Sequence, residues 1–112
     1  MDISILPHEV INIIKDLVLI FRPTNKAQLK KAVKSWINEK KKAIAQYNHI
    51  SLWDTSLITD MSSLFQKYKN FNDDISNWDV SNVINMSNMF HQCKNFNQPL
   101  NKWNVSNVIN MT

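Results

Sequence analysis

The chain contains no glycine among its 112 residues, whereas asparagine occurs 16 times. Without glycine, any turn that needs a positive φ angle must use asparagine, aspartate or another residue that tolerates the left-handed region. We therefore expect the turns of this protein to depend on Asn and Asp side chains. Abundant Asn, Lys and Ile with no Gly is also the composition that an AT-rich genome would encode.

Cysteine and long apolar segments are equally scarce. Cys93 is the single cysteine, so no disulfide can form within the chain. The apolar stretch at residues 10–21 is interrupted by Asn12, Lys15 and Asp16. It is too short and too polar to span a membrane, and no basic signal-peptide start precedes it. The sequence therefore predicts an intracellular protein without a membrane span.

The net charge of +4 is concentrated between Lys26 and Lys42. Lysines recur there at four-residue steps along one side of a predicted helix, which is typical of a solvated helix face. No cluster of arginines and no interleaved aromatic residues accompany them. We therefore expect no nucleic-acid partner.

The strongest pattern in the sequence is a 25-residue spacing between Trp53, Trp78 and Trp103. The nine residues WDVSNVINM that begin at Trp78 return as WNVSNVINM at Trp103, and a diverged form, WDTSLITDM, begins at Trp53. We call these the first, second and third repeats, in chain order. A fixed period of about 20–50 residues indicates a repeat architecture, so equivalent apolar residues should stack into a continuous core.

Each repeat is predicted to contain a short strand and a helix. The strands are expected near residues 75–80 and 100–105. A helix should follow each strand, with Asn or Asp as the N-cap. The predicted caps are Asp60, Asn85 and Asn110, and the apolar positions that follow Asn85 at helical spacing are Met86, Met89, Phe90 and Cys93.

Two further helices are predicted before the repeats. The first covers residues 1–21 and starts at Leu6-Pro7, since proline suits the first helical turn. The second begins after a cap at Thr24 or Asn25 and runs to about residue 47. Its expected buried stripe consists of Leu29, Val33, Trp36, Ile37, Ile44 and Tyr47. The predicted fold class is therefore α/β: a solenoid of strand–helix repeats at residues 50–112, with two full units and a truncated third, behind an N-terminal helical cap at residues 1–49.

No arrangement of residues indicates catalysis, a cofactor or a metal. His91 and Cys93 lack the CxxC motif or second histidine cluster of a zinc site, so Cys93 is interpreted as structural. The Asp73–Asp74 pair is replaced by Gln98–Pro99 in the next repeat, which favours a solvated turn over paired catalytic carboxylates. We expect a non-enzymatic protein.

Residues 96–111, FNQPLNKWNVSNVINM, resemble the BspA-like leucine-rich-repeat-type surface protein family, also known as the mycoplasma-type lipoprotein repeat of unknown function. The resemblance covers about residues 21–112. It implies a leucine-rich-repeat-like array used for adhesion or protein binding, often at a cell surface. The family has no assigned catalytic residue. The resemblance is also compatible with a location of this protein at the cell surface.

Repeat arrays usually present surfaces to partners, so the sequence predicts a protein-interaction module. Partner contacts are expected at the polar positions beside the predicted strands, namely Asp54, Thr55, Asp79, Ser81, Asn104 and Ser106. The third repeat stops at Met111-Thr112, where its helix should begin. An uncovered last repeat also predicts self-association through this end.

The N-terminus supports an alternative function. Leu6, Pro7, Val10 and Ile14 resemble the start of an F-box, which docks onto a ubiquitin-ligase adaptor. The resemblance implies an F-box-like substrate adaptor, with the repeats holding the target. A third reading is a truncated remnant of a longer adhesin-type repeat protein.

Overall fold

The computed structural model of the chain describes residues 20–112. The predicted helix at residues 1–21 lies almost wholly outside this part, as do the F-box-like positions Leu6, Pro7, Val10 and Ile14. The regular elements within it are helix α1 (Lys26–Asn38), helix α2 (Lys40–Tyr47) and a 3-10 helix at Ile50–Leu52. None of the helices in this part has the length and apolar character needed to cross a membrane.

Helix α1 begins where the sequence predicts. The Asn25 side chain accepts a hydrogen bond from the Gln28 backbone N–H at 2.9 Å, which confirms Asn25 as the N-cap. The helix buries Leu29, Ala32, Val33 and Trp36.

The predicted single helix up to residue 47 is in fact two helices. The backbone leaves the helical region at Glu39, which has φ −141° and ψ 62°, and α2 starts at the next residue. In α2, Ala43 and Tyr47 are buried, whereas Ile44 is 43% exposed. Ile44 was therefore wrongly placed in the buried stripe.

The predicted α/β, leucine-rich-repeat-like solenoid is wrong. The described part of the chain contains two α-helices and no strand or sheet. The only sheet-like pairing in it is a pair of isolated parallel bridges, from Asp60 to Asn85 and from Asn85 to Asn110. Residues 53–112 instead form successive turns.

The helix predicted after Asn85 does not form because its backbone enters the left-handed region twice. Asn88 has φ 56° and Gln92 has φ 60°, and the equivalent Ser63 and Lys67 of the first repeat have φ 59° and 68°. Right-handed helices do not accommodate such residues. Tight turns replace the helix, with backbone N–H groups donating to carbonyls three residues earlier in the chain.

The predicted strands fail because their N–H groups bond locally. The Ser76 N–H donates to Asp74 Oδ1 at 2.9 Å, and the Trp78 N–H donates to the Ile75 carbonyl at 3.1 Å. Three residues further on, the Ser81 N–H donates to Asp79 Oδ1. A backbone that satisfies its donors within its own turns cannot extend into a strand ladder.

Equivalent aromatic side chains of consecutive repeats lie in parallel against one another. The ring centroids of Trp53 and Trp78 are 6.2 Å apart with an angle of 18° between the ring planes. Phe65 and Phe90 are separated by 5.6 Å with an angle of 7°. Phe71 stacks in the same way on Phe96. Trp53, Phe65, Phe71 and Trp78 belong to one core cluster with buried aliphatic residues, and Phe90 and Phe96 pack against this cluster.

The helical segment joins this core through the first repeat. Trp36 of α1 and Tyr47 of α2 both contact the Trp53 ring, with centroid distances of 6.2 and 5.9 Å. Phe21 packs against Trp53 as well, at 5.4 Å. The first repeat is therefore covered by the helices on one side and by the second repeat on the other.

Candidate partner-binding face

Five of the six predicted partner-binding residues belong to three equivalent Asx turns. Asp54 Oδ1 accepts from the Ser56 N–H at 3.0 Å, and Asp79 Oδ1 accepts from the Ser81 N–H at 3.0 Å. In the third repeat, Asn104 Oδ1 accepts from the Ser106 N–H at 3.1 Å. The three turns hold equivalent positions in successive repeats, so the structure arranges the predicted polar residues in a row.

Thr55, the sixth predicted residue, is fully buried. Its hydroxyl donates to the Asp79 carbonyl in the second repeat at 3.0 Å. Thr55 therefore joins two repeats, and its side chain is not accessible to a partner in this structure. Of the other five, Asp79, Asn104 and Ser106 are exposed, whereas Asp54 and Ser81 are half-buried.

The two aspartates of the row differ in their charge environment. The hydroxyl of Ser81, 2.6 Å from Asp79 Oδ1, and the Ser81 backbone N–H hold the pKa of Asp79 below its usual range. The pKa of Asp54 is lowered by Ser56 and also by Arg22, whose Nε lies 2.7 Å from Asp54 Oδ2. Asp54 is thus neutralised by a cation, and Asp79 carries the more open negative charge of this row.

The lowered pKa of Asp79 gives a testable pH dependence. A carboxyl with a depressed folded-state pKa adds stability that is present above its unfolded pKa of about 3.9 and is lost as the pH falls through the folded value. Asp79→Asn should retain the Asx turn, as Asn104 does, but lack this titration. Urea denaturation between about pH 6 and pH 2 should show the stability difference between the wild type and Asp79→Asn shrinking mainly below about pH 3.9. A pH-independent difference would contradict this assignment.

Next to the Asx turns lies an open groove that the sequence reasoning missed. Its volume is about 560 Å³, and its apolar lining consists of Leu57, Ile84 and Ile109, which are 49%, 47% and 86% exposed. Thr59, Asn82 and Asn107 complete the lining. The sequence signal for this groove was the pair of adjacent apolar residues in each later repeat, Val83-Ile84 and Val108-Ile109. Neighbouring residues rarely face the same side of a turn, so one member of each pair should be exposed.

The groove and the Asx turns are held together by asparagine side chains. Asn82 Nδ2 donates to the Ser56 carbonyl at 2.7 Å, and Asn107 Nδ2 donates to the Ser81 carbonyl at 2.7 Å. We call the three Asx turns and this groove together the ladder face. It combines an apolar groove with a neighbouring row of fixed polar groups.

The other candidate groups have structural partners. Cys93 is buried, its thiol lies 3.2 Å from the Tyr68 carbonyl, and burial raises the pKa of this thiol. Asp73 accepts a hydrogen bond from the Trp36 indole at 2.9 Å, and Asp74 caps the Ser76 turn. Within residues 20–112, no three His, Cys, Asp or Glu side chains converge as they would around a metal ion.

Comparison with known proteins identifies a family. Neither a curated protein nor a solved structure matches the sequence at a significant level. Residues 31–112 match the family described as "Mycoplasma protein of unknown function, DUF285". Since this match extends over well more than half of the sequence, the chain belongs to the DUF285 family.

Proposed function

We propose that this chain is a non-enzymatic protein-interaction module that binds a protein partner through the ladder face. The observation that carries the proposal is the exposure of Leu57, Ile84 and Ile109 in one groove beside a row of polar turns. Contiguous exposed apolar side chains with polar neighbours are characteristic of protein–protein interfaces. On this proposal the chain is a BspA-like binding protein, in keeping with the resemblance of its repeats.

The rigidity of the ladder face supports the proposal. Each Asx turn fixes its own backbone, and the Asn82 and Asn107 side chains tie each repeat to the one before it. A surface that is already ordered loses little conformational entropy when a partner binds. The polar groups can therefore fix the orientation of the partner while the groove accepts its apolar side chains.

The chemistry of the ladder face also describes the partner. The apolar groove favours aliphatic or aromatic side chains of the partner. The open carboxylate of Asp79 favours a lysine, an arginine or a backbone N–H donor beside them. At the other end of the row, Asp54 and Arg22 form an ion pair. This end therefore favours neither a positive nor a negative group of the partner.

A charged substitution in the groove tests the proposal. Affinity capture from the native host with the intact chain identifies candidate partners, and titration calorimetry then measures their binding. Ile84→Lys should weaken binding at least about tenfold, because a lysine placed in an apolar contact must be desolvated. The melting temperature should change little, since Ile84 is 47% exposed.

Ile44→Lys is the matched control. Ile44 is exposed to nearly the same extent, 43%, but lies on α2 and outside the ladder face. It should leave binding unchanged. Equal affinity for the wild type and Ile84→Lys, or equal weakening by the two lysine variants, would contradict the assignment of the binding surface.

A further inference from the structure

A pocket lies where α1, the start of α2 and the first repeat adjoin one another. We call it the lysine pocket; its volume is about 410 Å³, and it is lined chiefly by Ile37, Lys40, Lys67, Tyr68, Lys69 and Asp73. All of its lining residues lie between residues 36 and 73, and the ladder face contributes none of them. A volume of this size is in the range of small-molecule sites.

The charge of the lysine pocket is unbalanced. Its lining carries three ammonium groups and one carboxylate, that of Asp73. Asp73 Oδ2 already accepts from the Trp36 indole N–H at 2.9 Å and lies 3.8 Å from Lys40 Nζ. Within the described part of the chain, neither Lys67 nor Lys69 forms an ion pair. The lining therefore has a net charge of +2, carried by two exposed lysines without a counter-charge among the described residues.

The structure holds these lysines in place. The Lys67 N–H donates to a carbonyl of the second repeat at 2.9 Å, and the Lys69 carbonyl accepts from an N–H of the same repeat at 3.1 Å. The ammonium group of Lys40 lies 4.8 Å from the centroid of the Trp36 ring, in a cation–π contact. An anion that binds here meets cations on an ordered backbone, so little conformational entropy is lost on binding.

The start of α2 adds to the positive potential at this pocket. The first three residues of the helix are Lys40, Lys41 and Lys42, and its N-cap, Glu39, makes no side-chain capping hydrogen bond. The N-terminus is the positive end of the helix dipole, so cations are unfavourable there and anions are favourable. An anion bound beside Lys40 would relieve this repulsion.

The turn that carries Lys67 and Lys69 does not need their charge. Gln92 holds the position of Lys67 in the second repeat with nearly the same φ angle, 60° against 68°. Gln98 likewise stands at the position of Asp73. The unbalanced charge is thus particular to the first repeat, where the helices adjoin it, and the repeat pattern does not account for it.

We propose that the lysine pocket binds a small molecule that carries a phosphate monoester on an apolar or aromatic body. A phosphate monoester has a charge of about −1.5 to −2 near pH 7 and three acceptor oxygens. These match the net charge of the lining and its three ammonium donors, since lysine binds phosphate as a point charge. The half-buried Ile37 and Tyr68 form an apolar wall beside the lysines, against which the body of the ligand would pack.

Other anionic partners fit the lysine pocket less well. A carboxylate or a phosphate diester brings a single negative charge and leaves part of the charge of the lining uncompensated. Carboxylate recognition also favours the planar fork of arginine, and no arginine occurs among the described residues that line the pocket. A membrane surface would meet a broad basic area, whereas these donors share one pocket of small-molecule size.

The test is an NMR titration of the labelled intact chain with phenyl phosphate, at about pH 7.5 and about 0.15 M salt. We expect saturable shifts centred on the amides of residues 67–70 and on the Trp36 indole N–H, with a Kd of about 1 mM or lower. Inorganic phosphate should bind at least about threefold more weakly, because it lacks the apolar body. Phenyl methyl phosphate, a monoanion with the same ring, should also bind at least about threefold more weakly.

Two matched substitutions locate the site. Lys69→Gln removes one ammonium group from the lysine pocket and should weaken phenyl phosphate binding at least about threefold. Lys94→Gln makes the same change at the equivalent position of the second repeat, which is also exposed but does not line the pocket. It should leave the Kd within about twofold of the wild-type value. Ile84→Lys, on the ladder face, should leave the Kd unchanged as well, so failure of this proposal is distinguishable from failure of the proposed function.

Four results would overturn the proposal. The first is an absence of saturable shifts at phenyl phosphate concentrations up to about 10 mM. The second is equal weakening by Lys69→Gln and Lys94→Gln, which would indicate diffuse attraction by surface charge. The third is equal affinity for phenyl phosphate and either control anion. The fourth is at least about tenfold tighter binding of a phosphotyrosine peptide, or of vesicles that contain phosphatidic acid, since this would make a protein segment or a membrane the source of the phosphate.

Discussion

Replacing Phe65 with alanine is expected to lower the free energy of unfolding by about 3–5 kcal/mol. Phe65 is fully buried, and its ring stacks on Phe71 at a centroid distance of 4.2 Å and on Phe90 at 5.6 Å. Trp78 packs against it at 5.8 Å. Because each of these rings is held by further neighbours, they cannot move together to fill the cavity. Urea denaturation followed by circular dichroism measures the loss.

The matched control for this prediction is the equivalent substitution one repeat later. Phe90 is half-buried and lines an open apolar groove with Met86 and Trp103, so Phe90→Ala removes less buried area and leaves a more open cavity. Its cost should be about 2 kcal/mol or less. Equal losses for the two variants would contradict the view that each repeat is buried mainly by the one that follows it.

The sequence allowed the core to be predicted more accurately than the backbone that carries it. The equivalent apolar positions that start at Trp53, Ile58 and Phe65 are buried as expected, except that the last member of each series is half-buried. These last members are Trp103, Val108 and Phe90. The helix after Asn85 was predicted from a spacing of three, four and seven residues. Tight turns with backbone hydrogen bonds between residues three apart bury the same positions as a helix would. Periodicity alone therefore could not distinguish turns from a helix.

The missing information was the location of the positive φ angles. In most proteins glycine would mark such positions, but this chain has none. Of the positions that take up the left-handed conformation in the repeats, only Asn88 is of a residue type that tolerates it well, whereas Ser63, Lys67 and Gln92 carry no such signal. The hydrogen bonds between successive repeats hold these residues in place.

The recurring Asp/Asn-x-Ser pattern predicted polar positions beside strands, whereas the structure places these residues in three equivalent Asx turns. The pattern did not reveal that Thr55, between Asp54 and Ser56, points into the core. Nor did it reveal the exposed Ile84 and Ile109, because an apolar residue in a repeat is assigned to the core by default.

A second large effect is expected at Trp36, where α1 meets the first repeat. Trp36 is 1% exposed, and its ring contacts Trp53 at 6.2 Å and His49 at 4.8 Å. Its indole N–H donates to Asp73 Oδ2 at 2.9 Å. Trp36→Ala removes all of these contacts and should cost about 3–5 kcal/mol of unfolding free energy. Trp36→Phe keeps an aromatic ring but loses the hydrogen bond, and should cost about 1–2 kcal/mol.

Two probes distinguish local from global loss of structure in these variants. Far-UV circular dichroism reports mainly on α1 and α2, whereas tryptophan fluorescence reports mainly on Trp53, Trp78 and Trp103 in the repeats. In the wild type the two denaturation curves should coincide, because helices and repeats share one core. In Trp36→Ala the helical signal should be lost at lower urea than the fluorescence signal, since the main contact between α1 and Trp53 is gone. Coincident curves in Trp36→Ala, or equal costs for the alanine and phenylalanine variants, would show that the packing of this ring does not hold the helices to the repeats.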